Sequence, residues 1–181
     1  MRIIGGKFRS RILAEFPGED VRPTSDRVKE SVFNILSLKL YGARVLDLFS
    51  GSGALGLESI SRGAREVVFN DFSKDSIAIL KKNVTALKLT VGNEVKILNQ
   101  DYTACLQTIT GQFDIIFIDP PYRFDYGKVA LEKISKNNLL TENGIVIYER
   151  DRAFEGEVEG LEKYDERKYG KTYLSFFRHK E

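Results

Sequence analysis

The sequence predicts an α/β domain. Its core would be a mostly parallel sheet with helices on both faces, with an antiparallel C-terminal hairpin and a small N-terminal β-hairpin arm. Three observations carry that expectation. Short apolar, β-branched runs alternate with helix-length amphipathic segments from Arg44 to Glu149, the pattern of parallel strands joined by crossover helices. The run Gly51-Ser52-Gly53-Ala54-Leu55-Gly56 stands between one such strand and the next helix. Finally, Asp119-Pro120-Pro121-Tyr122 follows the apolar run 113–118, where two prolines fix φ, supply no N–H and force the strand to stop.

At 181 residues the chain suits one compact domain. We divide it into an N-terminal arm and helix over 1–41 and a main domain over 42–181. Its 42% hydrophobic and 30% charged composition is that of a soluble globular protein. No apolar run approaches the roughly 20 residues of a membrane helix, and no signal peptide is legible, so a cytoplasmic protein without membrane contact is expected. One cysteine, Cys105, and one histidine, His179, exclude an internal disulfide and a Cys/His zinc site; no metal is expected. A net charge of +2 is too small to argue for nucleic acid by itself.

In chain order, Gly5-Gly6 reads as a tight hairpin turn between Ile3-Ile4 and Phe8. Arg2, Lys7, Arg9 and Arg11 make this arm basic, with Arg9 and Arg11 expected on one strand face. Such an arm could grip a phosphate backbone, and removing it should barely touch the rest of the site. Thr24 or Ser25 caps a predicted helix of roughly 15 residues with an apolar stripe of Val28, Val32, Ile35 and Leu36. Arg22, Thr24 and Arg27 gather at its N-terminus, a natural anion site. Strands are expected at 44–49, 66–71, 94–98, 113–119 and 144–149. Ser73 caps a long helix with Ile77, Leu80, Val84 and Leu87 on one face, and a hairpin pairs 163–167 with 173–177.

The glycine run matches the dinucleotide pattern G-x-G-x-x-G, with Asp71 at the next strand end to hold a ribose diol. Asp47 argues for a different ligand. Its carboxylate, about 6 Å from a pyrophosphate at an effective dielectric near 20, would oppose binding by a few kcal/mol per charge pair. The same charge favours an ammonium or sulfonium group, so S-adenosylmethionine fits better.

On these residues the chain resembles the Rossmann-like class I methyltransferases. Asp47 through Gly56 is similar to their first motif, including Ser50, Gly51, Ser52 and Gly53. Asn70-Asp71-Phe72 is similar to the second, which implies that Asp71 binds ribose and Phe72 packs on adenine. Gln100-Asp101-Tyr102 resembles the third, whose acid takes the adenine amino group, and Tyr102 and Thr24 are expected among the cofactor-binding residues as well. Asp119-Pro120-Pro121-Tyr122 resembles the signature of enzymes that methylate exocyclic or amide nitrogens. The Arg-Ile-Ile-Gly-Gly-Lys-Phe opening, Arg22-Pro23-Thr24 and the Lys-Tyr-Gly-Lys-Thr tail resemble one branch, the bacterial 16S ribosomal RNA guanine-N2 methyltransferases of the RsmD family. One departure is Asp71, where the family pattern leads us to expect glutamate.

The resemblance implies S-adenosylmethionine as cofactor and 16S rRNA as substrate, presented within a partly assembled 30S subunit; the sequence does not fix the oligomeric state, and a monomer is the expectation. In that reading Asp119 and the Pro120 carbonyl, held by Pro121, accept the hydrogens of the target amine. Tyr122 stacks on the base, and Arg2, Lys7, Arg9, Arg11, Arg22 and Arg27 contact RNA. DNA adenine-N6 methylation and protein glutamine methylation share the Pro-Pro-aromatic turn and stand as alternatives. So does a non-catalytic RNA-binding module that keeps the fold.

Overall fold

The computed structural model describes residues 1–17, 26–121 and 125–181. Its elements are α1 (Asp26–Ile35), β1 (Arg44–Asp47), α2 (Ala54–Ser61), β2 (Glu66–Asn70), α3 (Lys74–Ala86), β3 (Val95–Leu98), α4 (Tyr102–Thr108), β4 (Phe113–Ile118), α5 (Tyr126–Lys136), β5 (Leu140–Arg150), β6 (Leu161–Tyr169) and β7 (Thr172–His179). One sheet takes the order β3-β2-β1-β4-β5-β7-β6. The first five strands run parallel, and β7 pairs antiparallel with β5 and β6. This is the α/β architecture expected.

The parallel strands are apolar on both faces because both are covered. Val45, Ile115 and Phe117 face a core shared with α1, α2 and α3, whereas Leu46, Ile116 and Ile118 face α4 and α5. Ser73 caps α3 by accepting from the Ser76 N–H, and Ile77, Leu80, Val84 and Leu87 are buried. No helix among the described residues is long and apolar enough to cross a membrane.

Most strand boundaries move by one or two residues, and three segments differ by more. α1 ends at Ile35, and the chain continues through turns in which Leu36 donates to Val32 O and Lys39 to Leu36 O. β5 begins at Leu140, because a bulge lets Leu140 pair with Phe113 before Ile145 pairs with Ile115. The N-terminal segment folds back as a hairpin, with Arg2 bridging Ile12, but it does not turn at Gly5-Gly6. It passes through a 3-10 turn at Gly6–Phe8 and through Ser10 at φ 69°, which breaks the alternation that would have aligned Arg9 with Arg11.

The strand order reverses between β1 and β4. The chain builds outward from β1 to β3, then returns to β4 on the other side. The loops leaving β1 and β4 therefore diverge and open a crevice at the carboxyl edge of the sheet.

Candidate active site

The glycine loop forms one wall of that crevice, and its glycines serve different ends. Gly51 (φ 53°) faces open space, with nothing within 4 Å of where a Cβ would sit. Gly53 (φ 88°) begins α2, and a Cβ there would lie 2.3 Å from Leu80. Gly56 lets α2 close on the sheet, since a Cβ would meet the Phe69 ring at 2.2 Å. The first glycine leaves room for a ligand, and the third sets helix–sheet packing.

Asp47 works from beneath the loop. It is 1% exposed, and its Oδ2 accepts the Gly56 N–H at 3.0 Å. Burial, with a further push from the Asp71 charge, raises its pKa to about 7, against the opposing effect of the Gly56 hydrogen bond. Sequence reasoning placed this carboxylate beside the glycine turn. The fold encloses it, so it braces the loop from within rather than lining a surface.

Asp71 lies at the end of β2 as expected, and the loop itself holds it. Oδ2 accepts the Gly51 N–H at 2.9 Å and Oδ1 accepts the Ser73 N–H at 2.8 Å. Each carboxylate oxygen has two acceptor directions, so a ribose diol can still be met. Beside it Phe72 is 78% exposed, an apolar ring with no core to serve and a face suited to a purine. Asp101 caps α4 through Oδ1, which accepts from the Thr103 N–H and hydroxyl at 2.9 and 2.5 Å. Ser50 Oγ is buried in the loop with no hydrogen-bond partner among the described residues. A buried hydroxyl without a partner is costly, and a polar ligand in the loop would satisfy it. An open glycine turn, an orphaned hydroxyl, a held carboxylate and an exposed aromatic together fit S-adenosylmethionine.

The opposite wall is the end of β4. Asp119 is half-buried, Pro120 buried and Pro121 exposed. Burial first, then the negative charges of Glu149 and Asp47, hold the Asp119 carboxyl well above the ordinary carboxylate range. Glu149 comes from β5: the parallel register pairs Ile118 with Tyr148, so Asp119 and Glu149 follow side by side and line one cavity with Val32 and Leu55. Phe49, Tyr102 and Tyr126 cluster at the rim, with Phe49 and Tyr126 rings 6.4 Å apart and nearly parallel. Of these groups sequence reasoning had named Tyr102. It missed Glu149, which stood in plain view as the acid closing a predicted strand. Cys105 is buried, its thiol pushed up to about 12, which suits packing and not nucleophilic attack.

Among the basic residues, Arg2 pairs with Asp26 at 3.1 Å and Lys7 with Glu94 at 3.6 Å. Arg9, Arg11 and Arg27 are exposed. Arg22, Thr24 and Tyr122 lie outside the described residues. The arm is not the independent grip expected. Glu58 of α2, fully buried, accepts the Ile4 and Gly5 N–H groups at 2.8 Å each and pairs with Arg62 at 2.8 Å and buried Lys29 at 3.5 Å. Lys29 also donates to the Arg2 carbonyl. Gly6 approaches α2 so closely that a Cβ would sit 1.8 Å from the Ser61 carbonyl oxygen. The Gly5-Gly6 pair therefore permits docking rather than turning.

A seven-stranded sheet of this order, with a glycine loop after β1 and an acid-Pro-Pro turn after β4, defines a class I methyltransferase fold. The chain belongs to the family described as conserved hypothetical protein 95, whose model matches residues 1–178, and which is the RsmD family of the sequence resemblance. It is 37% identical to the ribosomal RNA small subunit methyltransferase D of Haemophilus influenzae, over 84% of this chain and 79% of that one. The Escherichia coli K12 protein of the same name is 38% identical over 83% and 75%. A solved Escherichia coli structure, named provisionally as a methyltransferase, superposes with a TM-score of 0.88 at 28% identity, covering 99% of this chain and 97% of that one.

Proposed function

We propose that this protein transfers the methyl group of S-adenosylmethionine to the exocyclic N2 amine of a guanine in 16S ribosomal RNA. Its substrate would be a partly assembled 30S subunit in the cytoplasm. The observation that carries the reading is the meeting of the Asp119-Pro120-Pro121 turn and the glycine loop at one switch point. The relatives named for small-subunit rRNA methylation support RNA as the substrate class.

S-adenosylmethionine brings a methyl group already activated on a sulfonium, so the protein's task is positioning and electrostatics. Ser50, Gly51, Ser52 and Gly53 would hold its amino-acid end, and Asp71, Phe72, Asp101 and Tyr102 its adenosine, with Asp47 supplying negative field from below. A guanine amine is a poor nucleophile because its lone pair is delocalised into the ring. Asp119 and the Pro120 carbonyl accept its two hydrogens, which returns electron density to nitrogen. Once methylated, the nitrogen is cationic and releases a proton to Asp119. The burial and neighbouring charges that raise Asp119's pKa make it a better acceptor for that proton. Tyr122 stacks on the base, which must be unpaired or flipped to reach the turn. Arg9, Arg11, Arg22 and Arg27 hold phosphates.

The test is transfer of a labelled methyl group into 16S rRNA, free and in 30S particles, beside plasmid DNA and a release-factor protein. Digested rRNA should yield N2-methylguanosine. Label in adenine of DNA or in glutamine would overturn the substrate, and no transfer to any acceptor would overturn the enzyme.

A further inference from the structure

One buried side chain outside the catalytic turn touches both the N-terminal segment and the glycine loop. Asn83 of α3 is 2% exposed and lies on the helix face otherwise occupied by Ile77, Leu80 and Val84. Its Oδ1 accepts the Ala14 N–H at 2.7 Å, and its Nδ2 donates to the Ala14 carbonyl at 3.1 Å. The same Nδ2 donates to the Ser52 carbonyl at 2.9 Å. Ser52 stands between Gly51 and Gly53, both at positive φ, so its peptide planes lie in a turn that needs outside support. The loop's other ties, Ser50 N–H to the Asn70 carbonyl, Gly51 N–H to Asp71, Gly53 N–H to the Ser50 carbonyl and Gly56 N–H to Asp47, do not involve the N-terminal segment.

An amide that places two of its three part-buried hydrogen bonds on one residue has little left to fix it when that residue leaves. If Ala14 leaves, the Asn83 amide turns to find new partners, and Nδ2 withdraws from Ser52. If the loop is held by a ligand, Nδ2 stays and the receptor for Ala14 stays formed. We propose that Asn83 is a positioning residue that joins the N-terminal segment to the glycine loop, so that cofactor binding and docking of the segment form one equilibrium. The function proposed above enters only in making RNA the segment's ligand. With Arg9 and Arg11 exposed on the docked segment, RNA and cofactor then bind with positive cooperativity, and linkage requires the effect to be equal in both directions.

The segment carries its own probe, because trypsin cuts after Arg9 and Arg11. In the full chain, saturating S-adenosylhomocysteine should slow those cuts by about fivefold or more, the lower end of ordinary coupling between sites. Asn83→Asp keeps the acceptor and loses both donors. Ala14→Pro removes the N–H that Asn83 accepts and leaves both Asn83 donors in place, at an exposed position, and covers the case in which the first variant folds poorly. Both should be cut faster without ligand, and in both the protection ratio should fall towards one. A purely structural asparagine would raise the cutting rate and leave the ratio unchanged, and that result overturns the proposal. So does absence of protection in the wild type. Affinity for a 16S rRNA fragment should rise with S-adenosylhomocysteine, by a factor no larger than the protection, because it reads the gain in the docked fraction. RNA binding with no such shift overturns the cooperativity alone, whereas no RNA binding with intact protection overturns the RNA reading and leaves the Asn83 link standing.

Discussion

Replacing Glu58 with alanine should unfasten the N-terminal segment, and the cost can be worked from its partners. The carboxylate sits fully buried between two backbone N–H groups at 2.8 Å, the Arg62 guanidinium at 2.8 Å and the Lys29 ammonium at 3.5 Å. Lys29 is also fully buried, and burial lowers its pKa while Glu58 opposes that shift. Removing one partner of a buried pair costs about 3–5 kcal/mol, because the other charge is left without compensation. The Ile4 and Gly5 N–H groups lose their acceptor as well, so we expect a total near the upper end, about 5 kcal/mol. Domains are stable by only about 5–15 kcal/mol, so the variant should be marginal at room temperature. Lys29→Met should cost less, since Glu58 keeps three donors. The Lys29→Met/Glu58→Gln double variant should recover part of the Glu58→Ala loss. Urea unfolding followed by circular dichroism would give all three values. A Glu58→Ala loss under about 1 kcal/mol would refute the idea that this cluster anchors the segment. So would Lys29→Met costing as much as Glu58→Ala.

The other expectations concern the site. Asp119→Asn should cut single-turnover methyl transfer by about a hundredfold, the loss of one preorganised acceptor, with S-adenosylhomocysteine affinity by calorimetry nearly unchanged; a near wild-type rate would remove Asp119 from the mechanism. Asp47, raised to about 7 in the fold, keeps a proton that the unfolded chain releases near 3.8. Folding therefore takes up a proton between those values, and stability should fall as pH rises through that window, by up to about 1.4 kcal/mol per pH unit from this group. Asp47→Asn should flatten the slope, read from urea midpoints at several pH values. Gly56→Ala should destabilise by about 1–3 kcal/mol through overpacking against Phe69, seen as a lowered thermal midpoint.

Much of this protein follows from local pattern. Apolar runs separated by helix-length segments demand a covered parallel sheet. Pro120-Pro121 ends β4 whatever surrounds it, and the glycine run needs backbone conformations that side chains disfavour. Those features are legible because each rests on neighbours in the chain, as do the Ser73 cap and the buried face of α3.

Other features depend on groups far apart in sequence, and only the tertiary structure decided them. Gly5-Gly6 looked like a turn, yet it serves a backbone contact with Ser61, more than 50 residues away. Asp47 was expected at a strand end beside the glycine turn, but only the fold shows that it is enclosed and holds the Gly56 N–H. Lys29 on an amphipathic helix reads as solvated until Glu58 arrives from another helix. Glu149 acquires meaning when parallel register sets it beside Asp119. Asn83 breaks an apolar stripe, and nothing in its own helix says why; Ala14 and Ser52 supply the reason, 69 and 31 positions away. Periodicity records which face of an element is buried. It carries no information about which distant polar group meets a buried one, because that pairing is set by packing and by the high cost of leaving such a group without a partner.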